Sequence, residues 1–123
     1  MAFLTDRKRA AGLGSAKTGT EGFWKMIRSS MALQVVIPLF VITFGIGLGG
    51  TYEEVLAYYS RPLPAIIVAL SLIVCVSHFT AEAVEAVEDY VHGTAGKLAL
   101  IGLNALQYML IGVGLFALAR LAL

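Results

Sequence analysis

Charge is scarce in this chain. Nine Lys and Arg and eight Asp and Glu make up 14% of its 123 residues, whereas 59% are hydrophobic. The mean hydropathy is +0.83. A soluble domain this small has too high a surface-to-volume ratio to hide that much apolar side chain, so its natural solvent is lipid. The net charge is only +1, and no nucleic-acid partner is expected. Cysteine is nearly absent too. Cys75 stands alone, which excludes a disulfide framework, and it reads as a small buried hydrophobe. No internal repeat is visible, and the apolar runs are too long for the alternating strands of a membrane barrel.

What the chain has instead is three long hydrophobic runs. Met31–Gly50 carries no charge, a second run starts at Pro62 and reads PLPAIIVALSLIVCVSHF, and Leu98–Leu123 is uncharged until Arg120. A hydrocarbon core about 30 Å thick needs roughly 20 apolar residues at 1.5 Å each. In lipid every backbone N–H and C=O needs an internal partner, so these runs must be helices. The fold expected is an all-α integral membrane protein with three transmembrane helices, over residues 24–50, 62–91 and 95–123. Pro62 and Pro64 suit a first helical turn. Pro38 falls inside the first span, a place for a bend, with neighbouring helices able to satisfy the freed carbonyl.

Orientation follows from the basic residues. Arg7, Lys8, Arg9, Lys17, Lys25 and Arg28 precede the first span and Lys97 lies between the second and third, leaving only Arg61 and Arg120 on the other side. The positive-inside rule places the N-terminus in the cytoplasm and the C-terminus in the periplasm. Phe23 and Trp24 at one boundary, and Tyr52, Tyr58 and Tyr59 at the other, fit aromatic belts. The arm over residues 1–23 has no apolar stretch before its charges end, so it is not read as a cleavable signal. Its Gly, Ser and Thr content suggests a segment without a fold of its own.

GIGLGG, Gly45–Gly50, matches a dinucleotide fingerprint letter for letter, but it closes a membrane helix instead of opening one after a strand. Gly45 and Gly49 also make a G-x-x-x-G pair, and close helix packing is the role expected of them. Asn104, Gln107 and Tyr108 cluster on one face of the third helix and are expected to bond inward within the bundle.

The second helix holds the chemistry. Four of the eight carboxylates and both histidines lie within SHFTAEAVEAVEDYVHG, Ser77–Gly93. Twenty residues from Pro62 reach Ala81, so Glu82, Glu85, Glu88 and Asp89 stand at or beyond the membrane boundary. His78, Glu82, Glu85 and Asp89 share one narrow face. Glu82, Glu85 and Glu88 form either a solvated acidic helix end or a contact for a basic surface on another subunit. His78 sits about one turn inside the boundary, where an ionisable residue is usually functional. It is either a haem ligand or a helix-to-helix hydrogen-bonding group. His92 is 14 residues further on, about 21 Å along the axis, and cannot complete the same haem. A six-coordinate haem would draw its other ligand from a partner chain.

At these residues a family resemblance becomes specific. His78 followed by eleven residues and Tyr90, with Asp89 just before the tyrosine, resembles the membrane anchor subunit of succinate dehydrogenase (respiratory complex II). RKRAAGLGSAKTGTEGFW and YYSRPLPAI are similar to its alphaproteobacterial members, and EDYVHG after the helix-2 histidine is the strongest single motif. The resemblance implies a shared haem b and three partners: a cytochrome b-type anchor subunit, an iron–sulfur subunit and a flavoprotein subunit. It implies that succinate is oxidised at the flavin and ubiquinone reduced at the membrane surface. Carried over by position, His78 is an axial haem ligand, Tyr90 donates a hydrogen bond to a quinone carbonyl and Asp89 supports it. The family commonly has an arginine near the start of the first helix, serving the quinone pocket or a haem propionate. Arg28 is the choice here, with Lys25 the other candidate, although the offset in FWKMIRSSM departs from the family's; Ser29 and Ser30 have weaker claims. Two readings of other classes are a small oligomeric transporter, which wants a carboxylate deeper in the membrane than any here, and a cofactor-free assembly subunit, which has no need of His78.

Overall fold

A computed structural model describes residues 5–12 and 19–123, which form helices and connecting turns. The helices are α1 (Asp6–Ala11), α2 (Glu21–Gly47), α3 (Tyr52–Tyr59), α4 (Pro62–Tyr90) and α5 (Gly93–Ala122). α2, α4 and α5 are long and apolar enough to cross a membrane, at 27, 29 and 30 residues. At 1.5 Å per residue each exceeds about 40 Å, so each runs past the hydrocarbon into the interfaces.

The N-terminal arm is not uniformly without structure. Asp6–Ala11 coils into a short helix whose N-cap, Thr5, accepts from the Lys8 backbone N–H at 3.4 Å. Residues 13–18, with Lys17 among them, lie outside the described residues. α2 runs unbroken through Pro38, and Pro62 opens α4 at the position where a missing N–H removes no helical bond.

α3 is a helix that hydropathy did not reveal. Thr51 caps it: its hydroxyl accepts from the Glu54 N–H at 3.4 Å while the Glu54 carboxylate accepts from the Thr51 N–H at 2.8 Å. Such a reciprocal box satisfies two donors that a helix start otherwise leaves orphaned. α3 touches α2, α4 and α5. Tyr58 donates to the Thr43 carbonyl at 3.0 Å, and Tyr59 is buried against Gly47, where an added Cβ would come within 2.9 Å of the phenol oxygen. Burial, with Tyr58 adding to it, pushes the Tyr59 hydroxyl above its ordinary pKa.

α4 is the middle of the bundle. It packs against α2 on one side and α5 on the other, while α2 and α5 do not pack on each other. Gly114 of α5 admits the Leu72 side chain of α4, and Gln107 donates to Ser77 at 3.3 Å. Much of the outer surface is aliphatic and aromatic, as lipid-facing helices require, including Val35, Ile66 and Phe116.

Three expectations change. Gly45 and Gly49 have nothing within 4 Å of an added Cβ; the tight contacts fall to Gly47 and Gly114. Gly49 serves the turn after α2 instead, at φ 85°. Of the helix-3 polar trio, only Gln107 faces the bundle: Tyr108 is 73% exposed, and exposed Asn104 donates back to the Leu100 carbonyl at 2.9 Å. Periodicity groups side chains on a face without saying which way it points. Cys75 is half-buried beside an apolar cavity of about 700 Å³, also lined by Phe40, Phe44, Tyr59, Leu72 and Leu118.

Only Val91 and His92 link α4 to α5. The reversal is so tight that a Cβ on Gly96 would strike the Val91 carbonyl oxygen, and Gly93 sits at φ 73°. Backbone cannot yield as a flexible side chain does. Gly96→Ala is expected to lower stability by about 2 kcal/mol or more. The check is the thermal midpoint of the detergent-solubilised protein, and an unchanged midpoint would contradict the close approach.

Candidate cofactor and quinone site

α4 positions the candidate residues, and its register against α2 decides which of them meet. His78 is 6% exposed and faces α2. Its Nδ1 lies 2.8 Å from the Ser29 hydroxyl, and its Nε2 lies 3.0 Å from Oε1 of Glu82, one turn further along α4. The ring is therefore held on both sides, once across a helix interface and once along its own helix. Phe79 packs edge-on to it at 5.8 Å. Ser29 in turn donates to the Met26 carbonyl at 2.9 Å.

The contact between Ser29 and His78 sets the depth of everything else. Tyr90 is the last residue of α4, twelve positions and about 18 Å beyond His78. It is 84% exposed, and Asp89 beside it is exposed as well. Together they stand at the helix end, where an apolar span gives way to polar surroundings. Glu82, Glu85 and Glu88 are exposed between them and His78.

Arg28 does not join Tyr90. α2 and α4 are antiparallel neighbours, so Arg28 stands level with the His78 region, about 16 Å from the depth of Tyr90. Its Nε donates back to the Trp24 carbonyl at 3.3 Å, which carries the guanidinium one turn toward that end and still leaves about 10 Å. His92 is the N-cap of α5, in the turn after α4.

Ser29 is the residue that sequence reasoning undervalued. Two adjacent serines after Arg28 carry no spacing signal. Only the crossing of α2 over α4 selects the first of them.

Among the described residues no three His, Cys, Asp or Glu side chains converge as a metal cage. A single buried imidazole suits a metal that brings most of its own ligands, as an iron porphyrin does. The apolar cavity lies N-terminal to His78 along α4, lined there by Ser71, Cys75 and Val76, and the imidazole itself is not part of its wall. The residues present fit a haem.

A bundle of three membrane-spanning helices, with one buried histidine on the middle span, defines a small multi-pass membrane protein. The chain belongs to the succinate dehydrogenase/fumarate reductase transmembrane subunit family, whose model matches residues 2–119. It is 41% identical over 123 residues to the succinate dehydrogenase hydrophobic membrane anchor subunit of Paracoccus denitrificans, covering 100% of this chain and 95% of that protein. No solved structure matches it significantly. It is a multi-pass protein of the bacterial inner membrane.

Proposed function

We propose that, in the succinate dehydrogenase membrane domain to which its family assigns the chain, His78 is one axial ligand of a haem b and Tyr90 with Asp89 lines the ubiquinone reduction site. The observation that carries this reading is the buried imidazole of His78, held at Nδ1 by Ser29 and facing at Nε2 only the exposed Glu82 carboxylate of its own helix. When bound, haem b supplies a one-electron centre inside the span. The haem would be shared with a cytochrome b-type partner subunit, and iron–sulfur and flavoprotein subunits dock on the face where α2 begins and α4 ends. Positive-inside asymmetry makes that face the cytoplasmic one.

The chain's own groups have distinct tasks. The Tyr90 phenol is a neutral donor that polarises a quinone carbonyl oxygen without first losing its proton. Reduction of a quinone to a quinol takes up two protons, and the exposed Asp89 carboxylate stands where water can reach it to pass them on. Arg28 directly precedes Ser29, the α2 partner of His78, and its guanidinium turns back toward Trp24, from where it would serve a haem propionate or the quinone pocket.

The test is a reduced-minus-oxidised absorption spectrum of the complex withdrawn from its native membrane through a tag on this chain. A b-type band reducible by succinate is expected. A complex with no haem and no co-purifying flavoprotein would overturn the assignment.

A further inference from the structure

The Ser29 hydroxyl has one hydrogen and two neighbours, the Met26 carbonyl at 2.9 Å and His78 Nδ1 at 2.8 Å. The carbonyl can only accept. If the hydroxyl hydrogen goes to Met26, Nδ1 must carry its own hydrogen and donate it to Oγ, and the lone pair for a metal is then on Nε2. The reverse arrangement, with the serine donating to Nδ1, puts the hydrogen on Nε2, where no metal could bind. Ligation at Nε2 therefore requires Ser29 to be the acceptor.

The two clamps on the ring are unequal. Ser29 is half-buried in the α2–α4 interface, and its hydroxyl is also held by the Met26 carbonyl of its own helix. The Glu82 side chain is 54% exposed and swings away at little cost when something else takes Nε2. One contact is sheltered between two helices and the other is open to its surroundings.

We propose that Ser29 is the positioning residue of the haem ligand. By accepting the Nδ1 hydrogen it sets the tautomer and rotation of the His78 ring, and it strengthens electron donation from Nε2 to the iron, which lowers the haem's reduction potential. This rests on the assignment of His78 as ligand. It adds a residue from a different helix, so that the α2–α4 crossing itself tunes the haem.

The experiment compares Ser29→Ala, Ser29→Cys, Ser29→Thr and His78→Ala in the purified complex, by haem content, redox titration of the haem band and the g-values of the oxidised haem. Ser29→Ala and Ser29→Cys, which remove or weaken the acceptor, are expected to shift the haem potential upward and change the g-values. Ser29→Thr, which keeps the hydroxyl, should restore both. If Ser29→Ala loses haem altogether, the contrast between the Cys and Thr variants decides. Wild-type potential and g-values in both the Ala and Cys variants, or an equal shift in the Thr variant, would overturn the positioning role while His78→Ala still strips the haem. An intact haem in His78→Ala would instead overturn the ligand assignment beneath it.

Discussion

His78→Ala is expected to abolish the b-type absorption band of the complex, or to leave a five-coordinate haem with a shifted and broadened band. The imidazole is 6% exposed, and no other histidine of this chain can replace it, because His92 lies in the turn beyond α4. The substitution also removes the side chain that Ser29 and Glu82 share, so some loss of stability accompanies it. That loss is limited. The Ser29 hydroxyl keeps its Met26 partner, and the Glu82 carboxylate returns to water, so no polar group is left buried without one. Assembly is therefore measured separately, by the flavoprotein that co-purifies. Wild-type haem content with normal assembly would remove His78 from the site.

Tyr90→Phe should spare assembly and strike quinone reduction. At 84% exposure, the lost hydroxyl has no packing role, and substitutions at such positions usually fall within about ±0.5 kcal/mol of stability. A donor that polarises the reacting carbonyl contributes about 1.5–3 kcal/mol in the transition state, so its loss slows succinate:quinone turnover roughly 10- to 100-fold. Succinate oxidation with an artificial soluble acceptor bypasses the membrane site and should continue at the wild-type rate. Parallel loss of both activities would point to failed assembly. An unchanged quinone rate would show that Tyr90 is only an interfacial aromatic.

Much of the architecture was legible in the amino-acid order, and the misses have physical causes. The spans were readable because lipid leaves the backbone no partner but itself. α3 was overlooked although Thr51-Tyr52-Glu53-Glu54 is a capping signature, because a short interfacial helix carries no long apolar run. The Gly45/Gly49 pair looked like a packing motif, yet close approach depends on which glycine faces a neighbour, and that was Gly47 under Tyr59. Asn104 and Tyr108 were expected inside for the same reason: spacing puts residues on a common face but cannot say where α4 lies.

The candidate site divides along the same line. The sequence by itself determined that the chain crosses the membrane three times, that His78 is inside the apolar span and that Asp89 and Tyr90 are outside it, because transfer free energy and helical rise depend only on residue order. Tertiary structure decided what surrounds them. Ser29 meets His78 across 49 positions of chain, and Arg28 is brought one residue from that contact. Such contacts arise from the register between two antiparallel helices, which is set by how their side chains pack and by the turns at their ends, and no local pattern records it.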